Sequence, residues 1–249
     1  MKKYFAKLSI VLFAFALLSG CAQQGNFNSH RVESNELGTK WGESTRSYSK
    51  GVNATRVSAS TPDDTLVIHY DANRIDNLQS MPYIPFVGDR LEFAIVDEDL
   101  RPMNIYTNNG YNYRLMGREG ERYQLLIRNR SDFPYEIVAT IDGLDVLNGQ
   151  PGSFSNNGYI VEGRNTLVIE GFRQSNQSVA LFRFSKPDAA YANNTPAGDA
   201  SNVGVIGIAA FALMADPSIS QIPAQSGSKP NAFPAQNNQG QFAPAPIKR

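Results

Sequence analysis

The feature that most constrains the fold of this chain is an alternation of apolar and other residues with a period of two. In TLVIHY (65–70), the side chains of Leu66, Ile68 and Tyr70 fall on one face. The same period recurs in RLEFAIV (90–96), RYQLLIRN (122–129), YEIVATI (135–141), TLVIEGF (166–172) and VALFRF (179–184). Successive side chains of a strand point to opposite faces of a sheet, so this pattern predicts half-buried antiparallel strands.

Three dipeptides mark places where the predicted strands turn. Asn109-Gly110, Asp142-Gly143 and Asn157-Gly158 can each supply the positive φ that tight hairpins require. Strand signals recur every 8 to 15 residues, and no amphipathic helical stretch of convincing length separates them. This combination predicts an all-β domain over residues 37–214, built as an antiparallel β-sandwich of Greek-key or jelly-roll type.

The segment NVGVIGIAAFALM (202–214) breaks the alternation because apolar residues occupy both faces. It is too short to cross a membrane, which takes about 20 apolar residues. Gly204 and Gly207 instead favour close packing of the backbone against neighbouring structure. We therefore expect this segment to be the last, fully buried strand.

The first twenty residues have the three zones of a secretory signal peptide. Lys2, Lys3 and Lys7 make a basic start, residues 8–18 are apolar, and two small residues follow. The apolar run of roughly 11 residues is well short of the ~20 that span a bilayer, so a retained transmembrane helix is the weaker interpretation.

The residues that end this zone, Leu18, Ser19, Gly20 and Cys21, form a lipobox, and the segment resembles the signal peptides of bacterial lipoproteins. The resemblance implies that the chain is cut before Cys21, whose thiol carries diacylglycerol and whose new amino group is acylated. Two or three acyl chains make a stable anchor, whereas one holds only marginally. Ala22, where an Asp would act as a retention signal, resembles sorting to the outer membrane of a Gram-negative bacterium. The face that the domain occupies, periplasm or cell surface, stays open.

The two flanks of the predicted domain are compositionally biased. Residues 21–36 are polar, have neither a strand nor a helix period, and are interpreted as a lipidated tether. Residues 215–249 contain six of the 14 prolines, much Gln, Asn, Ser and Ala, and no acid after Asp216. A segment of this composition buries too little apolar surface to offset its ordering entropy, so we expect a disordered C-terminal tail.

Charge and cysteine content narrow the possible partners. The chain has 23 basic and 23 acidic residues; removing residues 1–20 removes three lysines, which leaves 20 basic against 23 acidic residues and a net charge of −3. Binding of nucleic acid needs a concentrated positive surface, so we expect no such partner. Since Cys21 is the one cysteine, no disulfide is expected and an apolar core must stabilise the fold.

A second resemblance covers the middle of the chain. IDGLDVLNGQ (141–150), GYIVEGRNTLVIEGFRQS (158–175) and VALFRF (179–184), together with residues 202–214, are similar to a group of secreted bacterial proteins whose function is unassigned. The similarity extends over roughly residues 120–212 and includes LGTKWGES (37–44). It implies one compact β domain and identifies no catalytic residue.

The side chains that could support catalysis are few. The two histidines are His30 in the tether and His69 in a predicted strand, and no G-x-S-x-G motif is present to expose a serine nucleophile. Asp97, Glu98 and Asp99 could form a glycosidase pair, but their place before Pro102 is typical of a solvated turn. We expect no enzyme activity and no cofactor.

A calcium site is the remaining alternative for a group of acidic residues. Asp142, Asp145 and Asn148 in DGLDVLNG lie at spacings of three, whereas an EF-hand loop needs spacings of two and a distal Glu. A turn in which these side chains bond to the backbone is the favoured interpretation, and we expect no metal.

Arginines and aromatic residues leave two further alternatives open. Arg114, Arg118, Arg122, Arg128 and Arg130 could form local ion pairs or bind an anionic partner. Tyr106, Tyr111, Tyr113 and Trp41 could pack in the core or stack sugars. A two-residue turn would place Tyr106 and Tyr113 near one another on neighbouring strands, with Tyr111 close to the tip.

These observations indicate a non-catalytic envelope lipoprotein whose β-sandwich docks protein partners or serves a structural role. The alternative is a module that binds envelope glycans, and an enzyme of unrecognised type is the least favoured class.

Overall fold

Strands provide nearly all of the regular structure in the part of the chain that the structure describes. The computed structural model describes residues 36–73, 78–214, 230–235 and 241–247. The strands within these ranges are β1 (Gly38–Arg46), β2 (Asp64–Asp71), β3 (Gln79–Met81), β4 (Ile84–Phe86), β5 (Leu91–Val96), β6 (Ile105–Thr107), β7 (Tyr113–Met116), β8 (Gln124–Asn129), β9 (Tyr135–Ile141), β10 (Leu144–Asp145), β11 (Tyr159–Val161), β12 (Thr166–Ile169), β13 (Gly171–Ser175), β14 (Ser178–Ser185) and β15 (Val205–Ala212). Three short 3-10 helices lie between β14 and β15, at Pro187–Ala189, Tyr191–Asn193 and Ala200–Asn202.

The strands form three sheets that share one core. The sheet orders are β1-β14-β13, β10-β9-β15-β2-β7-β6-β3 with β11 also paired to β9, and β12-β8-β5-β4. The prediction of an all-β, antiparallel sandwich is confirmed. One pair differs, since β2 and β7 run parallel. The chain between them passes through β3 to β6, which gives the long crossover that a parallel pair requires.

The period of two in the sequence identifies the inward faces of the strands, although β9, also predicted to be half-buried, is buried on both faces. The β2 side chains predicted to face inward, Leu66, Ile68 and Tyr70, are 6%, 0% and 1% exposed. Phe182 and Phe184 of β14, predicted in the same way, are fully buried and belong to the same cluster. Burial of each such side chain contributes roughly 1.5 to 3 kcal/mol, so this cluster supplies most of the stabilisation.

The last strand, β15, is buried along its whole length, as predicted for residues 202–214. One of its faces belongs to the main core. On the other face, Ala209 and Phe211 form a small separate cluster with Val138 of β9, and Phe154 and Phe233 pack against that cluster. The cover over this face of β9 and β15 therefore comes from a loop and from the C-terminal tail.

Two of the three predicted turns differ in detail from expectation. Asp142 and Gly143 have φ values of 53° and 77° and join β9 to β10 directly, as predicted. Gly110 has a φ of 75°, but its turn belongs to a five-residue connection, 108–112, because Thr107 pairs with Tyr113. Gly158 does not have a positive φ; a Cβ there would lie 2.3 Å from the carbonyl oxygen of Ile137, so the glycine is required by close packing.

The first residue that the structure describes is Glu36. The signal peptide, Cys21 and the tether up to residue 35 lie outside the described residues. No helix among the described residues is long and apolar enough to cross a membrane.

Two segments of the predicted disordered tail, 230–235 and 241–247, lie against the domain and are partly buried. The expectation of a tail without ordered structure does not extend to them, because each inserts an alanine into the domain surface: Ala232 is 2% and Ala243 is 5% exposed. The rest of residues 215–249 lies outside the described ranges.

Candidate functional site

The turn between β9 and β10 places a carboxylate inside the core. Asp142 is 1% exposed. It accepts hydrogen bonds from Thr39 N of β1 at 2.9 Å, Tyr70 OH of β2 at 2.5 Å and Gly204 N at 2.8 Å. Hydrogen bonds to an ionised acceptor are among the stronger ones in proteins. Asp142 therefore ties the β9–β10 turn to three other parts of the chain.

A short chain of hydroxyl groups extends this network. Thr39 Oγ1 lies 2.7 Å from both Tyr70 OH and Tyr123 OH, and all three side chains are buried. Burial is the main cause, and the charge of Asp142 the second, that raises the pKa of both tyrosines well above the usual value. Both hydroxyls therefore stay protonated. Hydroxyl donors can rotate, so the chain can adapt to either charge state of the carboxyl.

Asp145 organises the loop after β10. Its Oδ1 accepts from Leu147 N at 2.8 Å and Asn148 N at 3.0 Å, and its Oδ2 accepts from Asn156 Nδ2 at 3.0 Å. Asn148 Oδ1 accepts from Gln150 N at 2.9 Å. These bonds confirm the predicted turn in which Asp and Asn side chains bond to the backbone. Among the described residues, no group of three or more His, Cys, Asp or Glu is placed to hold a metal ion.

An arginine clamp holds the far end of the same loop. Arg56 makes two hydrogen bonds to the Glu136 carboxylate, at 2.8 and 2.9 Å, and also donates to the carbonyl oxygens of Phe154 and Asn156. Its guanidinium lies 3.8 Å from the centroid of the Phe211 ring. The Arg56 and Glu136 side chains are only 9% and 11% exposed. The clamp therefore positions Phe154, against which the tail packs.

The first tail segment, 230–235, crosses the outer face of β9 and β15. Asn231 N donates to Asn202 Oδ1 at 2.9 Å, and Ala235 N donates to Gly152 O at 2.8 Å. The Phe233 ring lies 4.7 Å from the Phe154 ring, centroid to centroid. This segment supplies the apolar cover that this face of the sheet needs.

The second tail segment, 241–247, lies beside β13 and the 3-10 helix Tyr191–Asn193. Ala243 N donates to Arg173 O at 2.9 Å and Ile247 N donates to Asn194 O at 2.7 Å. Tyr191 OH donates to Pro244 O at 2.5 Å. We call the surface made by residues 142–156, Arg173, Tyr191, Asn202 and Gly207 the tail-binding face.

The aromatic residues proposed for sugar stacking lie in different environments. Trp41 packs against the core, with its ring centroid 6.0 Å from that of Phe172 and 5.0 Å from that of Tyr191. Tyr113 is 8% exposed and Tyr111 is 75% exposed.

The register of β6 and β7 differs from the one that a two-residue Asn109-Gly110 turn would give. Tyr106 is half-buried and pairs with Arg114 in the β6–β7 ladder, while Tyr113 pairs with Thr107. Tyr106 and Tyr113 lie on neighbouring strands, as predicted, but the longer connection shifts the register by one residue, so their side chains lie on opposite faces of the sheet.

The carboxylates considered for glycosidase chemistry line a cleft of about 360 Å³ together with three arginines. Asp99 pairs with Arg101 at 2.8 Å and Glu98 pairs with Arg122 at 3.2 Å. His69, in β2, lies apart from this cleft's lining; burial, and then the charge of Arg114, lower its pKa.

Most of the clustered arginines also have acidic neighbours. Arg128 pairs with Glu92 at 3.2 Å, and Arg130 pairs with the same carboxylate. These contacts favour local ion pairs, and such exposed pairs contribute little stability.

Burial changes the acidity of the two loop carboxylates. It raises the pKa of both Asp142 and Asp145 to about 6, against hydrogen bonds that act in the opposite direction. A carboxyl with a higher pKa in the folded state takes up a proton on folding between pH ~4 and ~6, so stability rises as the pH falls through this window. We expect the free energy of unfolding to be larger at pH 5 than at pH 7.5 by about 1 kcal/mol for each carboxyl, because pH 5 lies about one unit below the folded pKa. Urea unfolding at both pH values measures the difference.

Asp145→Asn is the matched test of this pH dependence. Asn156 Oδ1 is buried and has no hydrogen-bond partner among the described residues. After rotation of the Asn156 amide, this oxygen can accept from the new Asn side chain, so the variant should fold and lose the part of the pH dependence that Asp145 causes. Equal pH dependence in the variant and the parent protein would contradict the assignment.

The tail-binding face was missed by reasoning on the sequence. The available signal was the apolar run of β15 beside the fully buried β9, since two faces of apolar residues in a sheet require two covers. The chain matches no protein-family model, no curated protein and no solved structure. The functional interpretation therefore depends on the residues described above.

Proposed function

We propose that this chain is a non-catalytic, lipid-anchored protein of the bacterial cell envelope, and that its β-sandwich is a protein-interaction module that binds short peptide segments. The observation that carries the proposal is the docking of residues 230–235 and 241–247 on the tail-binding face. Both segments are held largely by hydrogen bonds to main-chain atoms and by one buried alanine each. Main-chain hydrogen bonds that give affinity, combined with small pockets that give specificity, are a recurring mode of peptide recognition.

The distribution of the polar groups supports a binding role over a catalytic one. Asp142 and Asp145 use their oxygens to hold backbone and side-chain donors. Asp99 and Glu98 of the charged cleft pair with arginines. Buried networks of this kind position loops, which is what a binding surface requires.

The proposed location depends on the N-terminal residues. The basic, apolar and small-residue zones, followed by Cys21, support export, lipidation and attachment to the outer membrane. A polar stretch of about fifteen residues would reach about 50 Å when fully extended, so the tether allows the tail-binding face to meet proteins near the membrane.

We expect a photo-cross-linking residue in place of Ser155 to capture specific envelope proteins. Ser155 is exposed and adjoins Phe154 on the tail-binding face. Irradiated envelopes should give discrete protein adducts, detected by a shift on gels and identified by mass spectrometry. The matched control places the same residue at Asn108, which is exposed in the β6–β7 connection.

Cys21→Ser tests the anchor in the same experiment. The variant should carry no acyl label, and its Ser155 adducts with membrane proteins should be lost because the protein is no longer held at the membrane. Acyl labelling of the variant would contradict the lipoprotein assignment. Identical adducts from positions 155 and 108, or adducts with glycans alone, would contradict the interaction proposal.

A further inference from the structure

The tail-binding face contains a pocket of alanine size on β15. A Cβ atom at Gly207 would lie 2.4 Å from Ala232 Cβ and 2.9 Å from the Phe233 ring. A Cβ atom at Gly152 would lie 2.8 Å from Ala232 O. Contacts below 3.0 Å are not tolerated, so the space occupied by Ala232 exists because these two positions are glycine.

A second pocket of the same size lies at Gly149. A Cβ atom there would lie 2.9 Å from Ala243 Cβ and 2.7 Å from Tyr191 OH. Gly149 also has a φ of 66°, a conformation that glycine adopts without strain. The Tyr191 hydroxyl reaches past this glycine to the carbonyl oxygen of Pro244. An alanine followed by a residue with an accessible carbonyl therefore fits this pocket.

The two occupants share a pattern although their order differs. Ala232 is followed by Phe233 and Pro234, whereas Ala243 is preceded by Phe242 and followed by Pro244. In each segment the alanine is buried, the phenylalanine is half-buried and the proline is exposed. Proline lacks an N–H group and favours extended backbone, so it suits the exposed position of such a segment.

The domain binds these segments through hydrogen bonds to their backbone and through the fit of small side chains. Other polypeptides can present the same groups. The hydrogen bonds to the tail involve the carbonyl oxygens of Gly152, Arg173 and Asn194 and the side chains of Asn202 and Tyr191. Selectivity comes from the size limit at the two alanines and from the contact of Phe233 with Phe154. The pockets therefore select a class of peptide rather than one sequence.

We propose that the two pockets form a binding site for irregular segments of other proteins that carry adjacent Phe and Ala residues followed by Pro, and that the chain's own tail is the resident, displaceable occupant. This inference rests on the proposed function and names the ligand of the same face. A tethered segment has an effective concentration in the millimolar range. A competing segment therefore binds when it is multivalent or locally concentrated at the membrane.

The experiment releases the tail from its covalent connection after folding. A protease site replaces residues 221–227 in the mature chain, and the folded protein is then cut. The C-terminal fragment should co-elute with the domain on size exclusion. A synthetic peptide of residues 230–247 should displace it, whereas the same peptide carrying Ala232→Asp and Ala243→Asp should need a concentration at least about tenfold higher.

A second measurement avoids cleavage. The uncut chain with Ala232→Asp and Ala243→Asp should bind the fluorescent 230–247 peptide at least about tenfold more tightly than the uncut parent chain does, because its own tail no longer competes. Fluorescence polarisation gives the affinities, and circular dichroism checks that both chains are folded.

Three results would overturn the inference: a fragment that separates from the folded domain, equal displacement by the two peptides, or equal peptide affinity of the two uncut chains. Its failure is distinguishable from failure of the proposed function. Retention and displacement of the fragment without protein adducts at position 155 would contradict the envelope role and support the pockets. Adducts without fragment retention would contradict the pockets alone.

Discussion

Asp142→Ala is expected to lower the free energy of unfolding at pH 7 by about 3 to 5 kcal/mol, since each buried donor left without an acceptor costs about 1 to 3 kcal/mol. The donors are Thr39 N, Tyr70 OH and Gly204 N. Burial disfavours the charged form of Asp142 and raises its pKa to about 6. Removal of the carboxylate also removes this unfavourable desolvation, which offsets part of the lost stability. Urea denaturation followed by tryptophan fluorescence measures the change, and Trp41, the one tryptophan, packs in the core.

Asp99→Ala is the matched control for this prediction. Its side chain is 56% exposed and pairs with Arg101, which is 73% exposed. Exposed pairs contribute about 0 to 1 kcal/mol, so the control should unfold at nearly the parent denaturant concentration. A loss below about 1 kcal/mol for Asp142→Ala would contradict the role of this carboxylate as the hub of the β9–β10 turn.

Arg56→Met is expected to cost about 3 to 5 kcal/mol, the usual result of leaving one partner of a buried ion pair alone. Glu136 would keep its hydrogen bond from Gly158 N at 2.5 Å but would lose its counter-charge. The carbonyl oxygens of Phe154 and Asn156 would lose their donor as well. The loop that carries Phe154 should then loosen, and the tail with it.

Two measurements separate the charge effect from the loop effect. Arg56→Met combined with Glu136→Met should recover part of the lost stability, because the lone buried charge is gone, and a double-mutant cycle gives the coupling energy. Limited proteolysis should cut the tail near residue 229 faster in Arg56→Met than in the parent. Additive losses in the double variant, with tail cleavage unchanged, would contradict the clamp.

The inward faces of the strands could be predicted from the sequence because burial follows a period that a strand imposes on its own residues. Leu66, Ile68 and Tyr70 are buried as the alternation predicted. The continuous apolar run of β15 likewise predicted burial on both faces. These are local properties, since the side chain's direction depends on the backbone of its own strand.

Register and pair direction depended on more than local sequence. The parallel pairing of β2 with β7 and the pairing of Thr107 with Tyr113 join strands whose order in a sheet no local pattern specifies. The misplaced Tyr106 resulted from a loop three residues longer than the Asn-Gly signal suggested. A shift of one residue reverses the face on which a side chain lies.

Composition was a poor guide to the tail. Its proline and polar content describes how little apolar surface the segment can bury by itself. The methyl groups of Ala232 and Ala243 are nevertheless buried, because the domain supplies the surrounding surface and the glycines that make room. The sequence signal lay in the domain instead, because β9 and β15 are apolar on both faces and each face of a sheet then needs a cover.

The class of fold, the inward faces of the strands, the turn at Asp142 and Gly143, and the side-chain bonds of Asp145 and Asn148 to nearby backbone could all be predicted, because each depends on residues close together in the chain. Tertiary structure alone decided that Asp142 is buried while Asp97, also placed after a strand, remains partly exposed. It alone also decided that glycines 149, 152 and 207 form pockets for the tail. Burial of a charge and the shape of a pocket depend on which distant segments pack beside them. The sequence of one segment does not specify its tertiary neighbours.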